Sequence, residues 1–184
     1  VSGISREIVS AASRGVPIIG ICGGYQMLGK ELLDPFHEEA EESYRKGLGL
    51  LDIQTTFLPA EEKYTRQVEA ECPGIPFAGG ILSGAHLRGY EIHAGRTSIL
   101  SNEYSSAPFL VHEGAESSVL RQEGASSSQL DVFGSYLHGL FDNDTFRRSL
   151  LNLLRNKKGW KKLPIQFNLW RKKQDAYEHL ADVV

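Results

Sequence analysis

The sequence predicts an α/β protein built on an open mixed sheet that is flanked by helices. Apolar residues recur with helical spacing from Ser2 to Arg14, and the β-branched run Val16-Pro17-Ile18-Ile19 follows and leads into a second helical pattern. A helix, a strand and a helix joined by short links form part of an open α/β sheet. Such sheets place their sites at the carboxyl ends of strands.

Composition limits the classes of protein to which the chain can belong. Its 184 residues, 41% hydrophobic and 23% charged, are typical of one folded globular domain. The net charge of −3 provides no general attraction to nucleic acid or to anionic membranes, and no apolar run reaches the roughly 20 residues of a membrane span. The two cysteines, Cys22 and Cys72, predict a reducing, cytoplasmic setting rather than a disulfide framework.

Helical spacing marks the chain on both sides of the first strand. The first helix is predicted to bury four apolar residues at positions i, i+4, i+7 and i+8: Ile4, Ile8, Ala11 and Ala12. The second helix is predicted to turn three residues inward: Tyr25, Leu28 and Leu32. The acidic residues 34–46 lack the ligand spacing of a metal site and predict a solvated helical face.

Beyond residue 46 the pattern changes to strands. Apolar runs and alternation predict four of them: 47–54, 68–72, 87–97 and 132–138. Asn143 or Asp144 then caps a helix with the inner face Phe146, Leu150, Leu153 and Leu154. A last helix is predicted through Trp170, Tyr177, Leu180 and Ala181.

The turn Gly20-Ile21-Cys22-Gly23-Gly24 has the form of a nucleophile elbow. The central residue of such a turn has a strained backbone, and side chains at Gly20 and Gly24 are predicted to collide with neighbouring backbone. The Cys22 thiol is thereby lifted clear of the sheet, at a helix N-terminus whose free N–H groups stabilise a thiolate. The alternative interpretation is a buried structural cysteine.

A thiol nucleophile needs a base that holds its proton and returns it to the leaving group, and histidine suits this role because it titrates near neutral pH. Six histidines are available: His37, His86, His93, His112, His138 and His179. His138 is the predicted partner of Cys22, because it closes a second predicted strand beside Gly139 and so reaches the same edge of the sheet. A structural histidine is the alternative.

Three runs in this order resemble the glutamine amidotransferase domain of cobyric acid synthases, a family of the class I, or triad-type, amidotransferases. They are Gly-Ile-Cys-Gly-Gly-Tyr-Gln-Met-Leu-Gly at residues 20–29, Gly-Tyr-Glu-Ile-His-Ala-Gly-Arg-Thr at 89–97 and Gly-Ser-Tyr-Leu-His-Gly-Leu-Phe-Asp-Asn-Asp at 134–144. The resemblance extends from Ser2 to about Val183. It implies a flavodoxin-like class I domain over residues 1–184 that lacks its first strands.

The resemblance implies that Cys22 attacks the side-chain amide of glutamine and that His138 protonates the departing ammonia. The backbone N–H of Gly23 is implied as a donor to the oxyanion of the tetrahedral intermediate. The implied substrate-binding residues are Gln26, Gly24, Tyr90 and Glu91. The resemblance implies no metal site.

Classical triad amidotransferases carry a glutamate two residues after the catalytic histidine, where this sequence has Leu140. Corrinoid-type members also lack it, so the resemblance implies a Cys–His dyad. Its imidazole would be oriented by Asp142, by Glu91 or by a group outside the chain. Asp142 is ranked first, as a catalytic residue, because of its proximity in sequence.

Glutamine is the implied substrate, and the implied partner is a synthase domain of the same polypeptide. ATP and magnesium are expected in that domain, where a corrinoid acceptor is amidated, and no cofactor is expected in residues 1–184, which lack a Gly-x4-Gly-Lys-Ser/Thr phosphate loop. As a C-terminal fragment, residues 1–184 are expected to have weak or no glutaminase activity alone. Alternatives are a glutaminase of cobyrinic acid a,c-diamide synthase or of a peptidoglycan-amidating ligase, and a non-catalytic docking module.

Overall fold

The computed structural model of the protein describes residues 3–113, 119–166 and 168–183. Its α-helices are α1 (Gly3–Ser13), α2 (Gly23–Leu28), α3 (Asp144–Lys157) and α4 (Leu169–Val183), and 3-10 turns cover Ala60–Glu62 and Leu140–Asp142. Its strands are β1 (Ile18–Ile21), β2 (Glu31–Leu33), β3 (Tyr44–Lys46), β4 (Ile53–Phe57), β5 (Tyr64–Phe77), β6 (Gly80–His93), β7 (Gly95–Ile99), β8 (Ser105–Ser106), β9 (Phe109–His112), β10 (Leu120–Glu123), β11 (Ala125–Ser127), β12 (Val132–Ser135) and β13 (Leu137–His138). Within the described ranges, each helix is too short or too polar to cross a bilayer.

The strands form open sheets accompanied by helices, which confirms the predicted mixed α/β class. Sheet I has the strand order β1-β12-β11-β8, sheet II the order β10-β9-β5-β6-β13 and sheet III the order β3-β2-β4-β7. The pairs β1–β12 and β2–β4 are parallel, and the other strand pairs of the described residues are antiparallel. The sequence predicted one sheet, because periodicity does not reveal which distant segments pair.

A long hairpin is the largest departure from the predicted strands. Its strands β5 and β6 have 14 residues each, whereas the sequence predicted strands at 68–72 and 87–97. The turn between them is Ala78-Gly79, and both residues have positive φ, at 52° and 78°. Two positive φ angles in a two-residue loop match the twist of the flanking strands. Alanine is an unusual residue there, so the sequence carried no strong turn signal.

Two predicted helical stretches are wrong. The second helix ends at Leu28, and Leu32 lies in β2 and pairs with Thr55 of β4. The acidic stretch forms a loop and β3, because the buried Asp34 carboxylate accepts the backbone N–H groups of residues 38–40. Such local side-chain bonds compete with helix formation.

In α1, Ile4 is 74% exposed rather than buried, since it lies in the first turn, away from the buried Ala12.

Strand β12 lies between two apolar clusters. One joins sheet II to α3 and includes Phe77, Leu82, Leu87, Phe109, Val111, Phe133, Leu137, Leu140 and Phe146. The other joins α2 to sheets I and III and includes Ala12, Tyr25, Leu28, Leu51, Ile53, Val132 and Tyr136. Consecutive residues of β12 enter different clusters because side chains alternate along a strand. Full burial of such side chains contributes about 1.5–3 kcal/mol each, so the carboxyl end of β12 is firmly placed.

Candidate active site

Cys22 occupies a strained elbow between β1 and α2. Its φ and ψ are 53° and −117°, a conformation rarely adopted by residues other than glycine. A β-carbon on Gly20 would lie 2.8 Å from both the Gly24 carbonyl oxygen and the Tyr25 nitrogen, so this position requires glycine. A β-carbon on Gly24 would meet nothing within 4 Å, so the predicted collision at Gly24 is wrong. The elbow therefore depends on Gly20, which lies two residues before the cysteine.

The two cysteines have different environments. Cys22 is half-buried, and its Sγ lies 3.4 Å from the carbonyl oxygen of Ile92. Cys72 is 2% exposed, and burial raises the pKa of its thiol to about 11. A protonated, enclosed thiol is a poor nucleophile. Of the two, only Cys22 has the exposure that a nucleophile requires.

Gly23 is the first residue of α2, where a helix leaves N–H groups without an intrahelical acceptor. Its N–H is thus a donor beside the Cys22 sulfur. Because α2 has only six residues, individual N–H groups matter here more than a macrodipole.

His138 lies in β13, which pairs with β6 and not with the strands of sheet I. The backbones of β6 and β13 approach each other closely at this point: a β-carbon on Gly89 would lie 2.6 Å from the His138 carbonyl oxygen. Nε2 of His138 is buried and has no hydrogen-bond partner among the described residues. The imidazole borders a cavity of about 200 Å³ that Ile21 and Phe141 also line. An unpartnered imidazole nitrogen is available for proton transfer.

Strand β6 brings the two predicted catalytic residues to one stretch of backbone. The Cys22 sulfur contacts the Ile92 carbonyl, and His138 lies opposite Tyr90 in the β13–β6 ladder. Ile92 and Tyr90 are two residues apart, which is about 7 Å along a strand. The structure thus places Cys22 and His138 at the same end of β6.

Tyr90 and Glu91 lie on opposite faces of that ladder. Tyr90 is opposite His138, so the two side chains share a face, and Tyr90 is 49% exposed. Glu91 is opposite Leu137, is fully buried, and accepts hydrogen bonds from Arg121 at 2.6 and 2.8 Å and from Arg66 at 3.2 Å. Tyr90 can therefore reach a molecule at His138, whereas Glu91 faces away from it.

Asp142 contacts the last helix. Its Oδ2 lies 2.5 Å from the Lys173 ammonium, and this hydrogen bond raises the pKa of Lys173. The hydrogen bonds found in the described residues include none between Asp142 and His138. The orienting role assigned to Asp142 stays a prediction, and the contact in the structure is one that attaches α4.

Gln26 belongs to a buried polar network that sequence analysis missed. Its Nε2 donates to the Tyr136 hydroxyl at 3.2 Å, and that hydroxyl lies 2.6 Å from Thr97 Oγ1, which lies 2.7 Å from Thr55 Oγ1. The Gln26 Oε1 atom points toward Gly23, at 3.9 Å from the place of a β-carbon there. The amide is therefore held with its oxygen toward the elbow.

His93 is one of the six histidines of the sequence, to which sequence analysis assigned no role of its own. Its ring stacks on Tyr136 at 3.9 Å between centroids, its Nδ1 lies 2.7 Å from the Gly95 carbonyl oxygen, and burial lowers its pKa. Both rings line a cavity of about 500 Å³ whose walls also carry Arg96, Arg121 and Glu113. Neither Cys22 nor His138 is among the residues that line this cavity. These contacts depend on how distant segments pair, so the periodicity of the sequence did not reveal them.

The described residues contain no cluster of three His, Cys, Asp or Glu side chains that could hold a metal ion. The arrangement that they do contain, a strained thiol, an imidazole and a helix-terminal N–H, is that of nucleophilic catalysis on a carbonyl.

Comparison with known proteins agrees with this chemistry. The sequence profile of the CobB/CobQ-like glutamine amidotransferase domain matches residues 1–146. The cobyric acid synthase of Dehalococcoides mccartyi (strain BAV1) is 38% identical over 186 residues, which cover 100% of this chain and 35% of that protein. The cobyric acid synthase of Klebsiella pneumoniae is 41% identical over 184 residues, covering 100% of this chain and 34% of that protein.

The chain thus spans about a third of the length of the curated relatives that it matches. The match extends along the whole chain and includes the elbow, the Gly89–Thr97 segment and the strand that carries His138. This chain belongs to the family of CobB/CobQ-like glutamine amidotransferase domains.

Proposed function

We propose that this chain is the glutaminase domain of a cobyric acid synthase. It would hydrolyse glutamine and supply ammonia for the ATP-dependent amidation of adenosylcobyrinic acid a,c-diamide in cobalamin biosynthesis. The observation that carries the proposal is a strained cysteine at φ 53° on the same end of β6 as a histidine with an unpartnered, buried Nε2. Relatives named cobyric acid synthase support this acceptor, which a synthase domain would bind together with ATP and magnesium.

The reaction divides into two steps. The imidazole of His138 takes the thiol proton as the Cys22 sulfur attacks the side-chain carbonyl carbon of glutamine, and it gives this proton to the departing ammonia as the carbon–nitrogen bond breaks. Water, deprotonated by the same imidazole, then attacks the γ-glutamyl thioester and releases glutamate and the free thiol. His138 ends each turnover in the state in which it began.

Backbone and amide groups complete the site. The N–H of Gly23 donates to the oxyanion of each tetrahedral intermediate, and a donor of this kind contributes about 10²- to 10³-fold to turnover. Gln26, held by Tyr136 with its oxygen toward the elbow, accepts a hydrogen bond from the glutamine substrate. Gly24 leaves open space in the first turn of α2, and Tyr90 lies on the same face of the β13–β6 ladder as His138.

The test is amidation by the intact polypeptide, with glutamine or with ammonia as the nitrogen donor. Cys22→Ala is expected to abolish glutamine-dependent amidation and to leave ammonia-dependent amidation unchanged. Cys72→Ala is the matched control and is expected to retain both. If glutamine-dependent amidation survives in Cys22→Ala, Cys22 is structural and the glutaminase proposal fails.

The acceptor is tested separately. Adenosylcobyrinic acid a,c-diamide is expected to be amidated, whereas cobyrinic acid and a peptidoglycan precursor are not. Amidation of either of those acceptors instead would reassign the chain to a related amidotransferase. If wild-type protein hydrolyses no glutamine under any of these conditions, the chain acts as a docking module.

A further inference from the structure

The chain crosses between sheets I and II at two neighbouring points close to the elbow. It passes from β10 in sheet II to β11 in sheet I at Gly124, and it returns from β12 in sheet I to β13 in sheet II at Tyr136. The crossings are adjacent because Ala125 pairs with Gly134. Gly124 has a φ of 77°, and a β-carbon there would lie 2.5 Å from the Gly134 carbonyl oxygen, so only glycine permits this approach.

One buried carboxylate joins the two crossings. Glu123 is 4% exposed, and its Oε1 accepts the backbone N–H of Tyr136 at 2.7 Å. Its Oε2 accepts the hydroxyl of Ser135 at 2.7 Å, and the same hydroxyl oxygen accepts the N–H of Leu137 at 2.9 Å. Tyr136 lies between the ends of two ladders in different sheets, so a side chain has to satisfy its N–H.

The residues held by Glu123 are the supports of the proposed catalytic pair. The carbonyl oxygen of Ser135 accepts the backbone N–H of Cys22 at 2.9 Å, and Leu137 directly precedes His138. On the basis of the proposed glutaminase function, we infer that Glu123 is a positioning residue that acts through Ser135 and Tyr136 to hold Cys22 and His138 in a reactive arrangement. Small displacements of a reacting pair have large effects, since a 1 Å error can lower a rate by about 100-fold.

Burying the carboxyl group of Glu123 costs free energy, because its charged form loses its hydration in the interior. The pKa of Glu123 is raised to about 7, because the effect of burial outweighs that of the hydrogen bonds from Tyr136 and Ser135, which lower the pKa. The negative charge of Glu91 also acts to raise this pKa, and the positive charge of Arg121 acts to lower it. An apolar residue would avoid this cost but would leave the Tyr136 N–H unsatisfied.

The test compares three variants in the intact polypeptide. Glu123→Ala removes both acceptors, Glu123→Gln keeps one polar atom for each partner, and Ser135→Ala removes the hydroxyl but keeps the carbonyl that binds Cys22. Glu71→Ala, an exposed carboxylate paired with His112, is the control. Each variant is assayed, at a temperature where circular dichroism shows it folded, for the kcat and KM of glutamine hydrolysis and for the rate of Cys22 alkylation by iodoacetamide.

Glu123→Ala and Ser135→Ala are expected to lower kcat and Cys22 alkylation by about 10-fold or more, with KM changed by less than about 3-fold. Glu123→Gln is expected to stay within about 5-fold of wild type because it can still bridge Tyr136 and Ser135. If the folded alanine variants keep wild-type kcat and alkylation, Glu123 serves stability alone and the inference is wrong. If Glu123→Ala does not fold, Ser135→Ala decides by the same criteria. If the wild-type protein hydrolyses no glutamine, the proposed function fails. That result is distinct from failure of the inference about Glu123, in which the wild-type protein and the alanine variants are equally active.

Discussion

The backbone N–H of Cys22 donates to the carbonyl oxygen of Ser135 at 2.9 Å, one residue beyond the parallel pairing of Ile21 with Ser135. The ladder of sheet I thus extends to the nucleophile itself, although the torsion angles of Cys22 are strained. Because such strain costs about 1–3 kcal/mol, it persists only where surrounding structure holds it. Here the support is the end of β12, from which the chain continues to His138.

Thiol alkylation provides the first prediction. Iodoacetamide at neutral pH is expected to modify Cys22 and to leave Cys72 unmodified in the folded protein, because Cys72 is buried and burial raises its pKa to about 11. Peptide mass spectrometry measures the rate at each position, and Cys22→Ala identifies the signal. Equal rates at the two thiols would contradict the assignment of Cys22 as the reactive one.

The glycines on either side of the elbow are expected to differ. Gly20→Ala places a methyl group against the backbone of residues 24 and 25 and is expected to lower the free energy of unfolding by about 1–3 kcal/mol. Gly24→Ala places a methyl group in open space within a helix and is expected to raise the free energy of unfolding by up to about 1 kcal/mol. Urea denaturation measures both. Equal destabilisation by the two substitutions would show that the elbow is packed differently.

Stability is expected to vary with pH through Glu123. Burial raises its pKa from 4.5 to about 7, so the folded protein binds this proton more tightly than the unfolded chain does. Its contribution to stability is therefore complete below about pH 4.5 and is lost as the pH rises through about 7. Glu123→Gln cannot ionise and is expected to gain up to about 3 kcal/mol relative to wild type between those values. Urea denaturation at a series of pH values measures the difference, and parallel stability curves would refute this prediction.

The ion pair of Asp142 with Lys173 is expected to be weak, because both side chains are about half exposed. A double-mutant cycle with Asp142→Asn and Lys173→Ala is expected to show no coupling free energy beyond experimental error, and glutamine hydrolysis by Asp142→Asn is expected to stay within about 3-fold of wild type. A large fall in kcat for Asp142→Asn, without one for Lys173→Ala, would instead support the predicted orienting role of Asp142.

The parts of the site that could be predicted from sequence are local. The β-branched run before Cys22 and the glycine at position 20 determine the elbow through steric effects within a few residues. The parallel pairing of β1 with β12 places Ser135 beside Ile21, but His138 lies in β13 of sheet II, so the expectation that Cys22 and His138 reach the same edge of one sheet is wrong. The sequence placed residues 132–138 in one strand, whereas the chain changes sheets at Tyr136.

What could not be predicted depends on contacts between distant segments. Glu123 belongs to no motif of the sequence, yet it is buried because two sheets meet there. Gln26 was found by resemblance, but its partner Tyr136 is 110 positions away. Periodicity reports which face of an element is apolar and carries no information about which polar group on another element will meet it.

The nucleophile and its predicted base stand on different sheets, Cys22 at the end of β1 in sheet I and His138 in β13 of sheet II. Their separation is therefore set where the chain crosses from one sheet to the other at Tyr136. A substitution that displaces this crossing is therefore expected to change the distance between the two residues without contacting either of them.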